Sequence, residues 1–122
     1  MATPKGTSRN TLTRKRAAVY AGALFLLILA MLFAYNYSSI KGQLDVGTAY
    51  GARVACSCHF LGGRDIEDCS KDFEPGMEVI GLSMDEERKR VTASALLMES
   101  ATAEFREGWG CVILTDAQLK AE

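Results

Sequence analysis

The chain changes its hydrophobic rhythm twice. From Ala17 to Tyr35 it runs nineteen residues without a charge, almost all apolar. At about 1.5 Å of rise per residue, such a run forms a helix that crosses a hydrocarbon core. The span is placed at residues 17–37, with Tyr35 and Tyr37 as aromatic residues at one interface and Tyr20 near the other. A polar stretch over 38–49 reads as a linker. From Ala52 the rhythm becomes alternating: Ala52, Val54, Cys56, Cys58 and Phe60 share one face, and Arg53, Ala55, Ser57, His59 and Leu61 the other. That pattern predicts a half-buried strand, broken by Gly62-Gly63.

Beyond the glycines the elements are short. Asp65 is placed to cap a helix in which Ile66, Cys69 and Phe73 fall on one face, and Pro75-Gly76 ends it. Met77–Met84 and Arg90–Leu97, joined by the charged turn Asp85-Glu86-Glu87-Arg88, form a predicted hairpin. In its second strand Val91, Ala93, Ala95 and Leu97 are expected to face in, and Arg90, Thr92 and Ser94 to face out. A further strand near Thr102–Arg106, turning the inner residues Ala103 and Phe105 inward, leads through Glu107-Gly108-Trp109-Gly110 to a last strand, Cys111–Leu114. Trp109 is expected to plug the core beside Cys111. Thr115-Asp116 is expected to cap one final turn. Short turns imply antiparallel pairing. The expected fold class is therefore α+β: one transmembrane helix, then a small antiparallel β domain with a short helix at 50–114 and a C-terminal tail at 115–122.

Charge adds a direction. Residues 1–16 hold Lys5, Arg9, Arg14, Lys15 and Arg16 and no acid, whereas all fifteen Asp and Glu follow the apolar run. Basic flanks stay on the cytoplasmic side, so residues 1–16 are assigned to the cytoplasm and the chain beyond the span to the side outside it. A cleaved signal peptide shares the basic start, but its apolar core is about 7–15 residues and its cleavage site needs small residues. Here the run is longer and ends Phe33-Ala34-Tyr35-Asn36-Tyr37. Residues 42–122 carry eight basic and fifteen acidic groups, a net −7. That balance argues against nucleic acid as a ligand. The bilayer is the first expected partner. Ala18/Gly22 and Ala30/Ala34 have the small-xxx-small spacing that packs helices, giving the expectation of a weak homodimer through the span.

The four cysteines, Cys56, Cys58, Cys69 and Cys111, all lie on the exported side. An even count in a small extracytoplasmic domain reads as disulfides. On a strand, Cys56 and Cys58 point the same way about 6.5–7 Å apart, at the limit for bridging each other. Each is expected to reach a distant partner: Cys58 to Cys69 in a short loop, and Cys56 to Cys111 between the first and last strands.

Other chemistry is weaker. Cys56-Ser57-Cys58-His59 is one residue short of the haem-attachment spacing and lacks the C-x-x-C of a disulfide oxidoreductase. His59 points away from both cysteines on the strand reading and is expected at the surface. Ser38-Ser39-Ile40-Lys41 matches S-x-x-K but has no K-T-G partner and is read as coincidence. Asp85-Glu86-Glu87 and Asp65/Asp68 form no calcium loop and are read as a solvated turn and a cap. No catalytic, cofactor or metal residue is assigned.

Ala55-Cys56-Ser57, Gly62-Gly63-Arg64-Asp65, the strand Arg90-Val91-Thr92-Ala93-Ser94, and Gly108-Trp109-Gly110-Cys111 together resemble a known region. It is the non-catalytic N-terminal region of membrane-anchored bacterial β-lactamase-like serine hydrolases, which runs C-S-x-x-F, G-R-D, a hairpin, then G-x-G-C. The resemblance covers roughly residues 50–114 and implies a Cys56–Cys111 bridge. Cys58 and Cys69 are additional to it. The chain is expected to stop at Glu122, where the hydrolase domain begins in those proteins, and no catalytic residue is expected to carry over. The expected function is a non-catalytic, single-pass periplasmic accessory or binding module, not an enzyme. Its expected partner is an envelope protein, with a hydrolase as one candidate. The alternative is a thiol-redox or metal-handling envelope protein using Cys56 and Cys58.

Overall fold

A computed structural model describes residues 7–121. Part of the basic tail, residues 1–6, and the terminal Glu122 lie outside the described residues. The chain divides into two compact units between Ser38 and Ser39. Helix α1, Thr7–Phe60, begins in the first unit and ends in the second. Among the described residues it is the one helix long and apolar enough to cross a membrane. Leu and Ala dominate the apolar run, and no proline falls between Pro4 and Pro75, so nothing interrupts propagation once the helix has nucleated. Side chains along the run, including Leu24, Phe25, Leu26 and Met31, are exposed. Water does not tolerate so continuous an apolar surface.

In the second unit α1 continues through the expected linker and the expected first strand. Residues 38–49 are helical, and so are residues 52–60. The reason lies in small residues. Thr48, Ala52, Ala55 and Cys56 are all fully buried and fall at i, i+4, i+7 and i+8, one face of a helix. The same stretch also alternates, and small side chains satisfy either period. Continuity with a helix already formed decides between them. Termination is sharp. A Cβ on Gly62 would stand 2.5 Å from the Cys58 carbonyl oxygen, and Gly63 has φ +66°. Both positions suit glycine and end the helix.

The second unit then forms α2, Ile66–Cys69, one 3-10 turn, Ser70–Asp72, and a four-stranded sheet. Its strands are β1 (Ile80–Asp85), β2 (Arg90–Ala95), β3 (Glu99–Arg106) and β4 (Gly110–Ile113). They lie in the order β1-β2-β3-β4, all antiparallel. Val91 pairs with Ala103 and Arg90 with Glu104. Asp65 stands at the N-cap of α2 without a side-chain cap bond. Helix α3, Asp116–Lys120, has a full capping box between Thr115 and Gln118.

Val91, Ala93, Ala95 and Ala103 are fully buried on the inner face of the sheet, and all but Ala95 cluster with Ala52, Ala55 and Cys56 of α1. Small residues on both surfaces let helix and sheet approach closely, and Ile80, Leu82, Met84 and Phe73 fill the margins. The outer face is polar, with Thr92 and Thr102 hydrogen-bonded across strands at 2.8 Å. Leu97 departs from the alternation that places Val91, Ala93 and Ala95 inside. It lies past the end of β2, in a turn, with its side chain fully exposed.

Candidate functional site

The second unit has two distinct ends, set by how the sheet lies along α1. At one end Lys41 Nζ reaches Glu99 Oε1 at 3.3 Å, so the β2–β3 turn lies at that end. At the other, Phe60 stacks on Phe105 with ring centroids 5.9 Å apart, and His59 Nε2 lies 3.4 Å from Glu86 Oε1. The β1–β2 and β3–β4 turns therefore share the Phe60 end.

Two disulfides hold this arrangement. Cys56 is bonded to Cys111 (Cα–Cα 6.1 Å) and Cys58 to Cys69 (Cα–Cα 5.8 Å). On a helix, residues two apart point about 200° away from each other. Cys56 thus faces β4 while Cys58 faces α2. Cys56 and Cys69 are fully buried, and no cysteine is free. His59 is half-buried rather than at the open surface expected of it. Its Nδ1 lies 2.7 Å from the Arg64 carbonyl oxygen, which ties the helix end to the following loop. Arg64 continues that tie, with Nη1 donating to Asp72 Oδ2 at 2.6 Å.

The Phe60 end carries a large aromatic residue that the core does not absorb. Trp109 is 82% exposed, not the expected core plug. The β3–β4 turn explains it. Gly108 and Gly110 have φ +81° and +75°, and the Trp109 N–H donates to the Arg106 carbonyl at 3.0 Å. The flanking glycines turn the chain so tightly that the indole projects outward. Leu61, also exposed, shares this end. Charges ring it: Asp85, Glu86, Glu87, Arg88 and Lys89 in one turn, Arg106 and Glu107 in the other.

Beneath the tryptophan turn, Glu104 is clamped by two arginines. Arg90 Nε donates to Oε2 at 2.7 Å and Arg106 Nε to Oε1 at 2.8 Å. The Arg106 hydrogen bond, then that of Arg90, holds the Glu104 carboxyl below its ordinary range. This cross-strand network fixes the base of the turn. Elsewhere, the Lys71 ammonium keeps Asp68 low through a short ion pair. Backbone N–H groups of Glu78 and Gly76 do the same for Glu78. Glu78, with Ser70, Phe73, Glu74 and Met77, lines an open depression beside α2 that brings no nucleophile up to a base.

Among the described residues no group of three His, Cys, Asp or Glu side chains is placed to hold a metal. No buried side-chain nitrogen or oxygen lacks a hydrogen-bond partner there either. No protein-family model, curated protein or solved structure matches this chain. What the arrangement offers is a contact surface. It presents an exposed indole among charged turns, on a disulfide-stapled unit. The signal in the sequence was the Gly-Trp-Gly triplet, in which turn geometry outweighs the tryptophan's tendency to bury.

Proposed function

We propose that this chain is a non-catalytic accessory module of the bacterial envelope, anchored by α1 in the inner membrane with its N-terminus in the cytoplasm. Its disulfide-stapled unit stands in the periplasm and binds another envelope protein through Trp109. The carrying observation is Trp109, 82% exposed at the tip of a turn braced by the Arg90–Glu104–Arg106 network. Tryptophan is the residue most enriched where protein interfaces concentrate their binding energy, and a rim of charges around an aromatic anchor is the usual layout. The single apolar helix and the two disulfides are compatible with this placement. The resemblance to the region preceding the catalytic domain of envelope serine hydrolases makes such a hydrolase the first partner to test.

The thiol-redox alternative gains nothing from the geometry. Both Cys56 and Cys58 are engaged in disulfides, and Cys56 is inaccessible. The test places a photo-crosslinking aromatic at position 109 of the full chain in native membranes. The reading expects one discrete covalent adduct with an envelope protein. It also expects no such adduct when the same group is placed at Leu119, and loss of the partner on Trp109→Ala with both disulfides intact. Equal crosslinking at both positions, or none, overturns it.

A further inference from the structure

Strand β1 lies at one edge of the sheet. It pairs with β2, and among the described residues no strand runs along its other side. Two hydrogen bonds fix which of its backbone groups face that open side. At the β2–β3 turn, where Leu96 and Leu97 have φ +51° and +58°, the Met98 N–H donates to the Ala95 carbonyl at 3.0 Å. The main chain of Ala95 thus points toward β3 and away from Ile80, its partner in β1. The Ile80 N–H agrees, donating to the Met77 carbonyl at 3.0 Å and not to β2. In an antiparallel ladder this direction alternates residue by residue. Gly81, Ser83 and Asp85 therefore bond to β2, while Leu82 and Met84 turn both N–H and C=O outward. Native sheets blunt such an edge with lysine, proline, a bulge or a cover. Val79–Met84 holds no charge and no proline, and its register with β2 is unbroken. Gly81 and Ser83 on its exposed face put no bulk in the way of another strand.

Charge selects the occupant. The start of β1 borders the open depression beside α2, about 420 Å³, where Phe73, Met77 and Ile80 meet the carboxylates of Glu74 and Glu78. The Gly76 N–H donates to Glu78 Oε1 at 3.2 Å and orients that carboxylate. Between Asp72 and Arg88 the chain has five acids and no lysine or arginine. An apolar wall with carboxylates suits a long basic side chain, whose stem is apolar and whose head is cationic. The same acids disfavour a second copy of this chain: two β1 strands paired antiparallel about Leu82 set Glu78 opposite Glu86, like charge against like. We propose that the β1 edge binds an extended segment of another protein as an added antiparallel strand, with a lysine or arginine at the segment's C-terminal end seated against Glu74 and Glu78. Main-chain bonds to Leu82 and Met84 supply affinity, and the basic residue sets the register. This contact is separate from the one made by Trp109 and does not depend on it.

The test uses the full chain in lipid nanodiscs and a fluorescent peptide, Thr-Val-Thr-Val-Thr-Lys with an amidated C-terminus, beside the same peptide ending in glutamate. Anisotropy reads affinity, amide exchange reads the place of binding, and mass mapping of the two disulfides verifies the fold of each variant. The lysine peptide is expected to slow exchange at Leu82 and Met84, whose N–H groups it engages, and to leave Gly81 and Ser83 unchanged. It should bind about tenfold more tightly than the glutamate peptide at low salt. Glu74→Gln/Glu78→Gln should abolish that preference. Met84→Pro removes an outward donor without removing a bond to β2, and should weaken binding by about tenfold. If Met84→Pro does not form both disulfides, Leu82→Pro is read in the same way. Trp109→Ala should leave peptide binding unaltered. Equal affinity for the two peptides overturns the proposal, as does unchanged exchange at Leu82 and Met84 in millimolar peptide. A chain that protects both amides without peptide and sediments as a dimer also overturns it, because a second copy then holds the edge.

Discussion

Removing the Cys56–Cys111 bridge should cost more than removing Cys58–Cys69, and the loop lengths give the size of the difference. The two bridges close 55 and 11 residues of separation. In the chain-entropy description a loop of 55 residues stabilises by about 4 kcal/mol at 25 °C and one of 11 by about 3 kcal/mol. Each pair has one member buried without remainder, Cys56 and Cys69. Cys111 is buried as well while Cys58 is only half-buried, so lost packing adds to loop closure in the same direction. Small domains have roughly 5–15 kcal/mol in total, so the longer loop is a large share of what holds helix to sheet. The assay is native-state amide exchange at Val91 and Ala103, paired at the centre of the sheet, on the full chain in lipid nanodiscs. Cys56→Ala/Cys111→Ala should speed global exchange by several hundredfold or more, and Cys58→Ala/Cys69→Ala by about tenfold less. Equal effects, or a larger effect from the shorter loop, would refute the view that these bridges act by restraining the unfolded chain.

Three other expectations follow from local geometry. Gly62→Ala forces a Cβ against the Cys58 carbonyl oxygen and should destabilise the second unit by about 1–3 kcal/mol, seen as a lower denaturant midpoint. Leu96→Asn/Leu97→Gly places the preferred residues in the positive-φ turn and should stabilise the unit by about 1–2 kcal/mol in detergent, the reverse of most double substitutions. Glu104 has a depressed carboxyl pKa in the folded state. Its contribution is therefore complete above the unfolded value of about 4.3 and disappears as the pH falls through the folded one. Compared with Glu104→Gln, the wild type should be more stable by about 0.5–1 kcal/mol near neutrality, and the gap should close in acid unfolding curves below about pH 4.

The large features were legible because single strong signals carry them. Nineteen uncharged residues leave no competing element, and Arg90–Ala95 alternates cleanly because its inner residues are Val and Ala while its outer ones are polar. The stretch from Ala52 to Phe60 alternates like a strand yet is helical, because both periodicities pass through the same small residues. Only continuity with the helix before it, a non-local fact, breaks the tie. Cys56 and Cys58 reach separate partners on a helix for a different reason than on a strand: they diverge around the axis rather than running out of reach side by side. Leu97 was assigned inward by extending the alternation one step past the strand. Leucine is not a turn residue, so nothing in the pattern marks where β2 stops. Trp109 was assigned to the core on hydrophobicity, although two adjacent glycines had already turned it outward.

The account rests on the second unit standing outside the cytoplasm, held there by α1. Its most direct test is a pair of reporters fused after Glu122, one that folds only in an oxidising compartment and one that fluoresces only in the cytoplasm. The account predicts an active first reporter and a dark second one, with Cys56–Cys111 and Cys58–Cys69 intact in chains recovered from membranes. A bright cytoplasmic reporter with reduced cysteines would contradict it.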